Sequence, residues 1–287
     1  RMAKYTLDKN REWVWIIAGG LMQIPLISEA QSRGFAVVVS DRDPQAPGCL
    51  LADKVIPLDT YDYRVHHNIA LYLAPHLRAV LTAGADVGMT VSAAAEGCRL
   101  PAESFETAFN VNNKANLRQT LARTSKRSEH PHFLILEPLG TLAGLMGDWK
   151  KKSREEGFFG LPLVLKPVDN SATRGISLVQ TWHEKDWSEA IIKAEHAAKH
   201  DQRVILEEYL EDIEEVALDF FVEEGRLIFA NGCYRLFYRD MKFGLEAGHL
   251  NPWVPNDFVL AFCQDIATRL GVREGPFKID LAFHPVF

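Results

Sequence analysis

The stretch from Leu161 to Gly175, Leu-Pro-Leu-Val-Leu-Lys-Pro-Val-Asp-Asn-Ser-Ala-Thr-Arg-Gly, constrains the fold more than any other part of the chain. Leu163, Val164 and Leu165 are an apolar run bracketed by Pro162 and Pro167, which predicts a short buried strand. Lys166 stands where that strand ends. A lysine there either snorkels from an apolar surface or faces an anion. The loop that follows favours the anion. It offers backbone N–H groups, the hydroxyls of Ser171 and Thr173, the guanidinium of Arg174, and the conformational freedom of Gly175. Those groups together suit a polyphosphate. The alternative is an ordinary polar hairpin turn. Ile176 to Gln180 reads as the return strand, so the loop is the tip of an antiparallel hairpin.

Length and composition set the limits. The 287 residues are 47% hydrophobic and 24% charged, enough for two or three packed subdomains. The net charge of −6 gives nucleic-acid binding no global support. Cys49, Cys98, Cys233 and Cys263 form no CxxC pair, which argues against a zinc ribbon or a disulfide framework and for a reducing, cytoplasmic setting. No apolar run reaches the roughly 18 residues of a membrane span. Arg1-Met2-Ala3-Lys4 opens without the apolar core of a signal peptide.

The first third alternates strand and helix. Trp13 to Ala18 is an apolar strand running into Gly19-Gly20, a helix follows with Leu21, Ile24, Ile27 and Ala30 on one face, and Phe35 to Val39 is a second strand. Strand–helix–strand order implies a parallel sheet. Asp41 lies about 20 residues after the glycine pair, as in dinucleotide sites, but the GxGxxG spacing is absent, so a nucleotide-free Rossmann-like layer is the better reading. Further strands are expected at Lys54–Leu58 and Ala79–Thr82, and helices at Asn68–Leu77 and Val87–Cys98.

In the middle third, Asn112-Asn113-Lys114 precedes a predicted helix at Ala115–Arg123. A cation at a helix start opposes the macrodipole, which fits a lysine kept for an anion, with a solvated surface lysine as the alternative. Ser125–His130 reads as a charged loop, Pro131–Leu136 as a strand, and Trp149–Gly157, with its three consecutive lysines, as a solvated or mobile face. Thr181-Trp-His-Glu184 reads as a capping box before a helix bearing Trp187, Ala190, Ile191, Ala194 and Ala197. His196 and His200 are four apart on that helix, but with no HExxH glutamate and no third ligand they do not make a zinc site.

In the last third, Arg203–Tyr209 is a strand ending in Glu207 and Glu208. Val216–Val222 and Arg226–Ala230 are further strands. Asn231–Pro252 reads as a long functional connection. Asp257–Leu270 is a helix capped by Gly271, and Gly275–Phe283 a last strand carrying one inward acid, Asp280.

These pieces, in this order, resemble the ATP-grasp superfamily over nearly the whole chain. The resemblance rests on Asn113-Lys114, the Pro162–Gly175 strand and loop, Glu207-Glu-Tyr-Leu210 followed by Glu215, and Gly275-Pro-Phe-Lys-Ile-Asp280. It implies an α/β fold: a Rossmann-like domain over residues 1–110, then a two-lobed α+β ATP-grasp domain over 111–287. The lid would span about 132–206, and a C-terminal lobe, short of its full length, about 207–287. ATP is the implied nucleotide, with Mg²⁺, or Mn²⁺ in its place. Lys114 and Lys166 would bind phosphates from two sides. Ser171, Thr173, Arg174 and Gly175 would close over them, with Lys166 and Arg174 as the catalytic cations. The backbone around Glu207, Glu208, Tyr209 and Leu210 would read adenine, Glu215 would take the ribose, and Asp280 the metal.

The family's usual reaction activates a carboxylate as an acylphosphate for capture by an amine. The loop holds fewer glycines than in the carboxylase branch, and the Arg-Arg-rich segment of biotin carboxylases is missing. The carboxylate–amine ligase branch is therefore the expectation, with small-molecule acid and amine substrates. Carboxylase-type or carbamoyl-phosphate-type chemistry is the alternative. Leu245–His249 and Pro252 resemble the segment beside the family's acceptor site; Arg235, Arg239, Glu246 and His249 are candidate substrate contacts, with a structural loop role as the alternative for each, and a homodimer is compatible with the family. The family's second metal acid lies on a strand after Asp280, and the sequence ends at Phe287 without one. That leaves open a chain that continues, or a nucleotide-binding module without catalysis.

Overall fold

A computed structural model gives the protein's structure and describes residues 6–124, 130–137, 140–171, 173–211, 213–238 and 246–283. The chain divides into two compact units, Arg1–Asn112 and Asn113–Phe287.

The first unit is built on β1 (Trp13–Ile17), α1 (Ile24–Ser32), β2 (Ala36–Asp41), β3 (Lys54–Pro57), α2 (Tyr63–Leu73), β4 (Leu77–Leu81), α3 (Gly88–Cys98) and α4 (Phe105–Asn112). The strands pair in parallel in the order β3-β2-β1-β4. Every residue of β1 is buried, because both faces of the sheet are covered. Trp13, Trp15 and Ile17 pack with α2 and α3 residues such as Ile69, Leu73 and Ala94. Val14 and Ile16 pack with Ile27 and Ala30 of α1. The expected helix at Asn68–Leu77 instead starts at Tyr63, because Asp62 caps it by accepting from Val65 N–H at 3.1 Å. Asp41 fastens its own turn, accepting from Gly19 N–H at 2.8 Å and Asp43 N–H at 2.9 Å.

The second unit starts with α5 (Lys114–Thr124), β5 (Phe133–Leu136), α6 (Leu142–Glu156), β6 (Leu163–Pro167), β7 (Ser177–Val179), α7 (Glu184–Ala197) and β8 (Val204–Glu208). Its first sheet runs β5-β8-β6-β7, antiparallel throughout. Leu163, Leu165, Val204 and Leu206 bury one face against α6 and α7. By the twofold alternation of strands, Lys166 and Glu207 point to the opposite face, where Ala115 of α5 packs on Val168 and Ile205.

The second sheet holds β9 (Glu214–Glu223), β10 (Arg226–Phe237), β11 (Glu246–Trp253) and β12 (Gly275–Phe283), in the order β11-β10-β9-β12. Helix α8 (Asp257–Leu270) covers one face, where Val259 and Cys263 pack on Val216, Leu218 and Phe220.

Several expectations are corrected. Trp149–Gly157 is the end of helix α6. Thr141 caps that helix by accepting from Gly144 N–H, and Gly157 closes it at φ +73°. Of its three lysines only Lys151 is exposed, while Leu145, Met146 and Trp149 are buried. Asn231–Pro252 is no loop over its described residues: β10 continues to Phe237 and pairs antiparallel with β11. The capping box is displaced, since helix α7 starts at Glu184 with His183 as N-cap, and Thr181 accepts from His183 N–H instead. His200 lies beyond the end of α7, so it shares no helical face with His196. Asp280 does not point inward. Phe277, Ile279 and Leu281 take the core side of β12, leaving Asp280 half-exposed on the open face. Ala172, Arg239, Leu245 and most of the expected Ser125–His130 loop fall outside the described residues.

Candidate active site

Two clusters of charge stand on the second unit's sheets, the first on the α5 side of β5-β8-β6-β7 and the second on the face of β11-β10-β9-β12 away from α8. The first centres on Glu207. Its carboxylate is buried, with Lys166 Nζ 2.5 Å from Oε2 and Arg118 Nε 2.8 Å from Oε1. Burial alone would raise its pKa, but the charges of Arg118 and Lys166 prevail and hold it down at about 2. Lys114, at the first position of α5, donates to the Asn170 carbonyl in the loop after β6. Burial, and then the charge of Lys166, lower its pKa to about 8.

The loop itself is well anchored. Asp169 accepts three backbone N–H bonds, from Lys199 at 2.9 Å, His200 at 2.6 Å and Asp201 at 2.9 Å. Asn113 donates to Asp201 at 2.8 Å and caps α5 by accepting from Asn116 N–H. Arg174 folds back on Asn170 Oδ1 and Ser171 Oγ. Thr173 and Gly175 both take left-handed φ, and Thr173 is exposed. Around the end of β8, Glu208 accepts from His132 N–H, Tyr209 N–H donates to the Pro162 carbonyl, and the side chain of Leu210 is partly exposed.

The second cluster centres on Arg235 of β10. Its guanidinium lies 2.7 Å from Glu215, 3.5 Å from Glu246 and 3.5 Å from Asp280. His249 Nε2 contacts Glu246. Burial pushes the Glu215 carboxyl above its ordinary value; Arg235 opposes that, and the charges of Asp280 and Glu246 add to it. Lys166 also acts on Glu215, so the two clusters are within electrostatic reach of each other.

Lys114, Lys166 and Glu207 are therefore brought together, with Ser171 and Arg174 on the adjoining loop. Glu215, Arg235, Glu246, His249 and Asp280 form the second group. Thr173 lies exposed on the same loop. Arg118 was missed from the sequence, although its spacing of four from Lys114 puts both on one face of α5. Asp169, to which the sequence assigned no role, anchors the loop.

An α/β protein with a parallel-sheet unit, and a second unit pairing a lysine-bearing antiparallel sheet with an acid-bearing one, is the class this fold and site define. Residues 159–285 match the family profile described as the ATP-grasp domain. The formate-dependent phosphoribosylglycinamide formyltransferase of Prochlorococcus marinus (strain MIT 9301) is 24% identical over 255 residues, covering 81% of this chain and 59% of the relative. The chain thus spans about three-fifths of the length of the curated relatives it matches. The L-amino acid ligase of Bacillus licheniformis superposes with a TM-score of 0.71 at 20% identity, over 96% of this chain and 64% of that one. The phosphoribosylglycinamide synthetase of Anaerococcus prevotii gives 0.67 at 16%, over 96% and 65%.

Proposed function

We propose that this protein is an ATP-dependent carboxylate–amine ligase acting on small, amino-acid-like molecules. The observation that carries the reading is the cluster of Lys166, Lys114 and the anchored loop on one sheet, with the Glu215–Arg235–Asp280 group on the other sheet of the same unit. Lys166 and Lys114 hold the phosphates, and Ser171, Thr173 and Arg174 close over them. The backbone at Glu208 and Leu210 takes the adenine and Glu215 the ribose. A substrate carboxylate oxygen attacks the γ-phosphorus while the bond to the β-phosphate oxygen breaks, releasing ADP. An amine nitrogen then attacks the acyl carbon, phosphate leaves and the amine loses a proton. The protein's part is positioning and neutralising charge. Arg235 and His249 orient the acid and the amine.

Among the described residues, no group of three or more His, Cys, Asp or Glu side chains could by itself hold a metal. Mg²⁺, however, is held by one or two carboxylates plus substrate phosphates, and the hard oxygens of Asp280 suit it. Bound there, it would neutralise phosphate charge.

The test is ADP formation from ATP across a panel of carboxylates and amines. An acid-dependent rate that Lys166→Ala lowers by about a hundredfold or more supports the reading, the scale of losing one preorganised charge contact. Turnover unchanged by Lys166→Ala contradicts it. Bicarbonate as the one effective acid would move the assignment to carboxylase chemistry.

A further inference from the structure

The Glu207 carboxylate divides its two oxygens between two cations on different elements. Arg118, from helix α5, donates Nε to Oε1 at 2.8 Å. Lys166, from the neighbouring strand β6, donates to Oε2. Lys114, one helical turn before Arg118, turns instead to the Asn170 carbonyl of the loop. The two partners of Glu207 differ in kind. A guanidinium is a rigid, permanently charged fork, whereas a lysine ammonium is a point charge on a flexible stem that can pivot.

A buried carboxylate stripped of its last partner is strongly disfavoured. Were Lys166 its sole partner, moving that lysine to a phosphate would strand Glu207. With Arg118 on the other oxygen, Lys166 can leave and the carboxylate stays paired. Resting on the nucleotide site of the preceding section, we propose that Arg118 is a positioning residue: it retains Glu207 from the helix side and so releases Lys166 for the triphosphate. It acts through Glu207.

The experiment measures binding of the non-hydrolysable imido analogue of ATP with Mg²⁺ by isothermal titration calorimetry, with a thermal melt of each protein. The proteins are wild type, Arg118→Met, Arg118→Lys, Glu207→Gln and the double variant Arg118→Met with Glu207→Gln. Arg118→Met should bind about tenfold more weakly or worse, the scale of a charge-assisted contact held in the wrong place. Arg118→Lys should restore part of the loss. The double variant should bind more tightly than Arg118→Met, because the neutral amide no longer detains Lys166. A structural role would not produce that recovery. Wild-type affinity in Arg118→Met overturns the inference. So does weak binding in Arg118→Met that Glu207→Gln leaves unrelieved. A wild-type chain that takes up no nucleotide removes the ATP site itself, and this inference with it.

Discussion

Lys114 is the residue whose chemistry should change most when a nucleotide arrives. Burial and its neighbour Lys166 bring it to about pH 8, well below an ordinary lysine. A phosphate beside it reverses both effects and raises the pKa again. At pH 8, nucleotide binding should therefore take up about half a proton at this site. Titration calorimetry in two buffers of different ionisation enthalpy reads that uptake directly. Lys114→Arg, charged in both states, should abolish it, and buffer-independent heats in the wild type would refute the assignment. Lys166 could be picked out from the sequence because a lone lysine ends an apolar run. Arg118 could not, because its partner Glu207 lies 89 residues further along the chain.

At the scale of elements, the loop between β6 and β7 is set by how it packs. Gly175 has φ +77°, and a Cβ there would sit 2.5 Å from Cβ of Ala197 at the end of α7. Gly175→Ala should therefore cost about 1–2 kcal/mol from the left-handed backbone, with the clash adding to it. It should also weaken ATP binding, because the loop must shift. Denaturant midpoints and nucleotide titrations check the two effects, and an unchanged midpoint would contradict this account of the loop. Strands β1 and β2 are legible because both faces are buried and the runs Trp13–Ile17 and Ala36–Val39 are continuously apolar. Helix α6 was obscured by Gly144, Gly147 and three consecutive lysines, which dilute the spacing of Leu145, Met146 and Trp149. The continuation of β10 into a pair with β11 was unreadable for another reason. The described residues of β11 are at least partly exposed, so no buried face imprints an apolar period on it.

For the whole molecule, the two units should fail at different pH on acidification. His66 in the first unit is buried, bonded through Nε2 to Ser40 and through Nδ1 to the Asp62 carbonyl, and burial lowers its pKa from 6.5. Below pH 6.5 the unfolded chain binds this proton more readily than the folded one, so the first unit loses stability as the pH falls from there. Glu207 in the second unit works lower down. Its folded value of about 2 lies below the ordinary 4.5, so its contribution is complete above pH 4.5 and disappears between 4.5 and 2. Hydrogen exchange read by mass spectrometry across a pH series should show loss of protection in residues 6–112 before the β8 region. His66→Gln should remove the earlier step, and simultaneous loss in the wild type would contradict the assignment.

The central claim is that Lys166 and Lys114 grip the phosphates of ATP while Asp280 serves its metal. A crystal structure with the non-hydrolysable imido analogue of ATP and Mg²⁺ tests it most directly. The account predicts phosphate oxygens within hydrogen-bonding distance of both lysine ammonium groups, and the metal on the Asp280 carboxylate. A nucleotide bound elsewhere, with Lys166 still on Glu207 and Asp280 still on Arg235, would contradict it.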